Sequence, residues 1–215
     1  MQVDLDSFGL YLVMTDPVVG YEECARVAAG EGVRLVQLRM KRVAREKYVR
    51  TAWRVKRALE GGESLFIVND DVTVARAVDA DGLHLGQDDM DLDEARHAWT
   101  DKPEKVYGLS THGQNQDLAA VDKHPSYIGV GPVFPTPTKA LPDPTVGVDY
   151  LAAAAKRSPL PVVAIGGIAV NTLPAVLERG IRNYAVVRAV CAAADPCGAI
   201  RQLRRVEKEV LLAKP

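Results

Sequence analysis

The sequence predicts an α/β protein built as a single closed (β/α)8 barrel, or TIM barrel, over residues 1–215, and two observations lead to that prediction. Eight short apolar segments of strand-like composition alternate along the chain with eight segments of helical periodicity, at intervals of roughly 20 to 30 residues. Alternation of this kind gives parallel strands joined by helical crossovers, and eight such units can close on themselves. A doubly wound open sheet is the alternative arrangement of the same elements.

The first half of the chain contains four predicted strands, each an apolar run that stops at polar or turn-forming residues. These strands cover 10–14, 35–38, 64–68 and 82–85. Between them lie segments in which apolar residues recur every three to four positions, the spacing of an amphipathic helix. The predicted helices cover 21–29, 44–59, 72–78 and 91–99, and Gly30, Gly32, Gly61 and Gly62 mark two of their ends.

The second half repeats the alternation. Predicted strands cover 106–109, 127–130, 162–165 and 184–187, and predicted helices cover 118–123, 150–156, 172–177 and 196–211. Pro196 suits the first turn of the last helix, where its missing N–H has no intrahelical partner to lose. With these segments the chain has the eight strand and helix units that closure of a barrel requires.

Composition excludes several classes of function. The 215 residues are 47% hydrophobic, enough for one large core, and a net charge of -1 argues against a nucleic-acid partner. No apolar run approaches the roughly 20 residues that span a bilayer, so no membrane partner is expected. Cys24, Cys191 and Cys197 are odd in number and lack metal-ligand spacing, which predicts free thiols in a reducing compartment and a cytoplasmic protein.

Acids and amides directly follow the third and fourth strands, at 69–71 and 87–89. If these strands are parallel neighbours, their carboxyl ends bring the acids to the same rim. Oxygen ligands at such a rim suit Mg²⁺ bound together with substrate phosphates. An aspartate at the end of a strand can instead cap the helix that follows it.

Other strand ends carry groups that suit an anion. Gln37, Arg39 and Lys41 alternate, which places an amide and two cations on one face of the second strand and its extension. The loop at 131–139 combines prolines with hydroxyl groups and one lysine, and Gly166-Gly167 follows the seventh strand. Glycines between a strand and a helix allow backbone amides to approach an anion. In a barrel all of these groups lie on the active-site rim.

Taken together, these segments resemble the thiamine phosphate synthase family. The resemblance rests on QLRMK at 37–41, ND at 69–70, HLGQDD at 84–89, GPVFPTPTK at 131–139 and AIGGI at 164–168. It extends from about residue 10 to the terminal helix. It implies a transferase that joins 4-amino-2-methyl-5-hydroxymethylpyrimidine diphosphate to 4-methyl-5-(2-phosphoethyl)thiazole or its carboxylate, with release of diphosphate.

The resemblance also implies site residues and a cofactor. Mg²⁺ would be held by Asp70 and Asp89. The pyrimidine diphosphate would contact Gln37, Arg39, Lys41, Asn69, Ser110 and Lys139, among which Arg39, Lys41, Lys139 and Ser110 would act in catalysis. The thiazole phosphate would contact Thr136, Thr138, Gly167, Val187 and Arg188. The expected partners are therefore small-molecule substrates.

Some residues depart from the pattern of this family. Met40 stands where a charged residue is expected, and Asp71 stands where an arginine commonly follows the Asn-Asp pair. Asp71 can add to metal binding or cap the following helix, and we favour the cap. Arg188 replaces a serine of some relatives and adds a guanidinium that can contact phosphate. His84 lies within a strand, which favours a packed side chain over a ligand.

Two other functions fit the same predicted fold. A thiazole tautomerase would bind only the thiazole phosphate and would need a proton shuttle such as His112. A non-catalytic barrel that binds a phosphorylated metabolite would act through a partner. The tautomerase has no use for a complete set of diphosphate and metal groups. The synthase is therefore favoured over it by the joint presence of Gln37, Arg39, Lys41, Asn69, Asp70, Asp89 and Lys139. Binding of substrates without turnover would instead indicate the non-catalytic barrel.

Overall fold

The computed structural model describes residues 4–99, 104–138 and 143–213. Eight parallel strands close into a barrel in the order of the sequence, with β8 paired to β1, so the predicted barrel is confirmed and the open sheet is excluded. The strands are β1 (Leu10–Met14), β2 (Leu35–Leu38), β3 (Leu65–Asn69), β4 (Gly82–Leu85), β5 (Val106–Thr111), β6 (Tyr127–Val130), β7 (Val162–Ile165) and β8 (Asn183–Val186).

Helices follow the strands around the outside of the barrel. They are α1 (Tyr21–Gly30), α2 (Arg45–Leu59), α3 (Val72–Ala77), α4 (Leu92–Ala98), α5 (Gln114–Asp122), α6 (Gly147–Arg157), α7 (Leu173–Glu178), α8 (Arg188–Cys191) and α9 (Pro196–Leu212). The four-residue α8 was not predicted, because one helical turn is too short to show a period. Helix α5 begins earlier than predicted, at a polar stretch without an apolar stripe.

Alternation along the strands divides the core into two parts. Leu10, Leu12 and Met14 of β1 belong to the cluster between the barrel and its helices. Tyr11 and Val13 point the other way, into a second cluster inside the barrel. That inner cluster consists of Phe8, Tyr11, Val13, Leu35, Ile67, Tyr127, Val163 and Ala185.

The segment before β1 is tied beneath the barrel by one buried side chain. The Oδ1 atom of Asn183 accepts hydrogen bonds from the backbone N–H groups of Phe8 at 2.8 Å and Gly9 at 3.2 Å. Its Nδ2 atom donates to the carbonyl groups of Leu5 and Asp6. This tie holds Phe8 against the inner cluster at the amino ends of the strands, opposite the rim that carries the polar residues.

Two further expectations concern the whole chain. The three cysteines are free thiols in the structure, as predicted. Among the described residues, no helix combines the length and the apolar character that a membrane crossing would need.

Candidate active site at the carboxyl ends of the strands

A cavity of about 790 Å³ opens at the carboxyl ends of the strands. Every predicted site residue that the structure describes lines it. These residues are Gln37, Arg39, Lys41, Asn69, Asp70, Asp89, Ser110, Thr136, Thr138, Gly167, Val187 and Arg188. Lys139 lies outside the described residues. The cavity therefore joins the acids of β3 and β4, the cations of β2 and the loops after β6, β7 and β8.

The two acids meet at the rim with a lysine between them. The Lys41 ammonium group contacts the Asp70 carboxylate, and its Nζ atom lies 3.8 Å from Asp89 Oδ1. The backbone of Asp70 has a positive φ of 64°, a conformation that aspartate tolerates better than most residues. Chain direction thus changes at Asp70, directly after β3, and its carboxyl group faces Asp89.

The ionisation of this pair is strongly coupled. Burial, together with the hydrogen bond to Asp89, raises the pKa of Asp70 to about 6. Burial also opposes the charge of Asp89, but hydrogen bonds from Asp70 and from the Gly86 N–H lower its pKa below the usual value. The two carboxyl groups therefore share one proton below about pH 6, as closely placed acids do.

The neighbouring acid has a different task. Asp71 Oδ1 accepts a hydrogen bond from the Val74 N–H at 3.1 Å and caps α3, and its Oδ2 atom pairs with Arg45 Nε at 2.9 Å. The preference for a capping role at Asp71 is confirmed. Met40 is also accounted for, because it is buried in the cluster between the barrel and its helices and is not among the residues that line the cavity.

The glycines after β7 let two loops approach each other closely. A Cβ atom on Gly167 would lie 2.6 Å from the Phe134 Cβ and 2.7 Å from the Pro135 carbonyl oxygen. Gly167 also has a φ of 68°, in the left-handed region. The loop after β6, which contains Thr136 and Thr138, can therefore lie against the loop after β7. The hydroxyl groups of the two threonines are 3.0 Å apart and both line the cavity.

The floor of the cavity contains side chains that sequence reasoning did not assign to the site. Tyr11, His84 and Tyr127 line it from below. His84 is buried as expected, but its ring also hydrogen-bonds, with Nδ1 3.0 Å from the Tyr127 hydroxyl and Nε2 2.8 Å from Ser110 Oγ. The alternation of β1 predicts that either Tyr11 or its neighbours face inward; only the barrel register shows which.

His112 also lines the cavity, at the edge between β5 and β6. Its Nδ1 atom donates to the Gly131 carbonyl oxygen at 2.6 Å, and its Nε2 atom lies 3.6 Å from Asp143 Oδ2. Within the described residues, no group of three or more histidines, cysteines, aspartates and glutamates could hold a metal ion. A metal at this rim would therefore have two protein carboxylates, Asp70 and Asp89, and would take its remaining ligands from elsewhere.

Comparison with known proteins agrees with the motifs. A family profile described as thiamine monophosphate synthase matches residues 10–190. Thiamine-phosphate synthases of Vibrio parahaemolyticus and Laribacter hongkongensis are each 39% identical over 202 residues, covering 93% and 92% of this chain and 98% and 94% of those proteins. Thiamine phosphate pyrophosphorylase from Pyrococcus furiosus has a TM-score of 0.86 at 31% identity, with 96% of this chain and 98% of that chain covered. The chain therefore belongs to the thiamine monophosphate synthase family of (β/α)8 barrel enzymes.

Proposed function

We propose that this protein is a thiamine phosphate synthase and that its cavity holds a pyrimidine diphosphate beside a thiazole phosphate. One observation supports this most. The cluster of Asp70, Asp89 and Lys41 lines the same cavity as Gly167 and Arg188. One end suits a diphosphate with a metal ion, and the other suits a single phosphate. A tautomerase would use only the second end.

Asp70 and Asp89 would hold Mg²⁺. The donor set fits, because two carboxylates meet at the rim and already compensate a cation, the ammonium group of Lys41. Mg²⁺ is commonly bound by one or two carboxylates together with substrate phosphates, so a larger protein cage is not needed. When bound, the ion would neutralise negative charge on the diphosphate oxygens.

The remaining diphosphate contacts would come from β2 and β3. Arg39 is positioned by its backbone N–H, which donates to the Met14 carbonyl oxygen at 3.0 Å. Arg39 and Lys41 would neutralise charge that grows on the leaving diphosphate, with Lys139 as a third cation, while Gln37 and Asn69 would donate from their amides. Preorganised cations of this kind lower the barrier to bond cleavage more than they strengthen substrate binding.

The thiazole phosphate would lie against the loops after β6, β7 and β8. Thr136 and Thr138 supply hydroxyl donors, Gly167 and Val187 supply backbone N–H groups, and Arg188 supplies a guanidinium group. The acceptor substrate would thus be anchored by its phosphate, with its ring nitrogen directed toward the pyrimidine.

The reaction would proceed by heterolysis of the carbon–oxygen bond between the pyrimidine methylene and the diphosphate. The bonding electrons leave with the diphosphate, and electron donation from the aminopyrimidine ring supports the cationic methylene. The lone pair of the thiazole nitrogen then forms the new carbon–nitrogen bond. No protein nucleophile is required. Holding the two rings in contact can contribute about 7 to 11 kcal/mol in well-oriented systems.

The test is a reconstitution with purified protein, both substrates and Mg²⁺, in which thiamine phosphate and diphosphate are measured in equal amounts. Omitting either substrate, or adding a chelator, should abolish the product. Unchanged synthesis with chelator would contradict the metal role of Asp70 and Asp89. Binding of both substrates without turnover would favour the non-catalytic barrel, and isomerisation of the thiazole phosphate alone would favour the tautomerase.

We further infer that residues 1–215 act as one catalytic domain, because β1 and β8 pair with each other and the cavity takes residues from strands throughout the chain. The free thiols of Cys24, Cys191 and Cys197 suit a reducing compartment. A cytoplasmic location therefore stays our expectation, and fractionation of cells that produce the protein would test it.

A further inference from the structure

A chain of hydrogen bonds runs beneath the cavity from β2 to β5. Gln37 Nε2 lies 2.7 Å from the Tyr11 hydroxyl, which lies 2.8 Å from the Tyr127 hydroxyl. The chain continues from Tyr127 to His84 Nδ1 at 3.0 Å, and from His84 Nε2 to Ser110 Oγ at 2.8 Å. We call these five residues the floor chain.

Because the floor chain is buried, the donor and acceptor of each of its hydrogen bonds can be assigned. Tyr127 is 0% exposed and Tyr11 1%, so solvent does not reach their hydroxyl groups, and Gln37 and His84 are only 2% and 7% exposed. Within the described part of the chain, the two tyrosine hydroxyls have only the floor-chain partners named above. A buried hydroxyl whose proton lacks an acceptor is costly, which selects the arrangement that satisfies every donor.

Only one direction gives both tyrosine hydroxyl protons an acceptor. The Gln37 amide nitrogen can only donate, so the Tyr11 hydroxyl accepts from it and gives its own proton to Tyr127. Tyr127 then donates to Nδ1 of His84, which must be unprotonated. The remaining nitrogen, Nε2, carries the ring proton and donates it to Ser110 Oγ.

We propose that the floor chain fixes Ser110 as a hydrogen-bond donor toward the cavity, with Gln37, Tyr11, Tyr127 and His84 as the residues that set this direction. Because Ser110 Oγ accepts from His84, its own proton is directed to the cavity that Ser110 lines. The ligand atom at this place must then be an acceptor. Resting on the proposed function, the inference identifies that atom as a ring nitrogen of the aminopyrimidine.

The backbone of β5 is adapted to the floor chain. A Cβ atom on Gly108 would lie 2.3 Å from Tyr127 Cζ and 2.4 Å from His84 Nδ1, so any side chain there would separate the two groups. The rings of His84 and Tyr127 are stacked with centroids 5.6 Å apart, and Tyr11 meets Tyr127 edge to face. Packing therefore holds the hydrogen-bonding atoms in place from both sides.

The direct test is the tautomer of His84 in ligand-free protein, measured by nitrogen NMR with labelled histidine. The His84 signals are assigned by their loss in His84→Gln. We expect the ring proton at Nε2 and no proton at Nδ1. A ring protonated at Nδ1 would overturn the proposal. Because this measurement uses no substrate, it can succeed even if the protein proves not to be a synthase.

Two variants probe the direction itself. In Gln37→Glu a carboxylate would accept from Tyr11, which should reverse every bond in the floor chain and move the His84 proton to Nδ1. In Tyr127→Phe the ring packing stays, but Nδ1 loses its donor, so both tautomers should be detected. Tyr184→Phe is the matched control, because it removes another fully buried hydroxyl, bonded to Glu207 away from the cavity, and should leave the His84 signals unchanged. An Nε2 tautomer that persists unmixed in both test variants would overturn the proposal.

A double-mutant cycle then distinguishes an effect that acts through Ser110 from a general loss of stability. Tyr127→Phe should raise the KM for the pyrimidine substrate about tenfold, the size expected for one misdirected hydrogen bond. In a Ser110→Ala background the same substitution should have less than about a twofold effect, since it acts through a group already removed. Equal effects in both backgrounds would overturn the proposal.

Discussion

Asp70 and Asp89, in the loops that follow the neighbouring strands β3 and β4, are hydrogen-bonded to each other at the rim of the cavity. Two acids in this relationship cannot both be charged without a cation between them. Lys41 supplies a partial solution in the free protein. The relationship leads to separate predictions for substitution and for pH.

Asp70→Asn and Asp89→Asn should each lower kcat/KM for thiamine phosphate synthesis by about 100- to 1000-fold, the loss typical of a removed charge-stabilising group. Asparagine suits the positive φ of 64° at position 70 better than alanine, so the fold should be retained. The matched control is Asp71→Asn, because asparagine also caps helices and the Asp71 carboxylate is engaged by the Val74 N–H and by Arg45. The metal assignment would be wrong if Asp71→Asn were as inactive as Asp70→Asn, or if either cavity variant kept full activity.

Binding of Mg²⁺ should weaken as the pH falls through about 6, because the Asp70 carboxyl group takes up a proton there. Isothermal titration at a series of pH values measures this, and one proton should be released per ion bound below that pH.

The same raised pKa of Asp70 means that the folded state binds more protons than the unfolded chain between about pH 4 and 6. Asp70 therefore opposes folding above this window, and Asp70→Asn should raise the Tm at neutral pH. A pH-independent metal affinity would contradict the shared proton.

Arg188→Ala should raise the KM for the thiazole phosphate about tenfold, as expected for loss of one charged hydrogen bond, and should have little effect on the KM for the pyrimidine diphosphate. Arg39→Ala is the mirror-image control and should act mainly on the pyrimidine diphosphate and on kcat. Initial rates with each substrate varied in turn distinguish the two. An unchanged thiazole KM in Arg188→Ala would exclude a phosphate contact by this residue.

Gly167→Ala should both destabilise the fold and impair thiazole phosphate binding, because the new methyl group would overlap Phe134 and Pro135. Gly180→Ala provides a matched control, since Gly180 also has a positive φ, 86°, but has open space around its Cβ position. The control should lose about 1 kcal/mol from backbone strain alone, whereas Gly167→Ala should lose more and also show a raised thiazole KM. Equal losses of stability with unchanged kinetics would show that the loop contact has no role in binding.

The barrel itself could be predicted from the sequence because its strands are short, apolar and regularly interrupted. The polar residues of the rim could be predicted for the same reason, since Asp70 and Asp89 belong to the polar segments that follow apolar runs. The residues that form the floor of the cavity could not be predicted from the sequence. Tyr11 and Tyr127 resemble ordinary core residues in sequence, and their inward orientation depends on the register of the closed barrel.

His84 illustrates the same limit. A histidine inside an apolar strand is usually packed, and this one is, yet its hydrogen-bond partners come from β5 and β6, far along the chain. The local sequence pattern indicates which face of a helix or strand is buried. It does not report which buried polar groups from distant elements will meet, because that follows from how the strands are staggered.

The hydrogen bonds that Asn183 makes beneath the barrel affect how substrates and products can enter and leave the cavity. Among the described residues, Phe8 and the inner cluster fill the space above that tie, so we expect both substrates and both products to pass through the opening of the cavity at the opposite end. Ser110 is half-buried and Arg188 is exposed, so we expect a substrate at Ser110 to bind before a substrate at Arg188. We therefore expect an ordered mechanism, in which the substrate that binds more deeply in the cavity binds first.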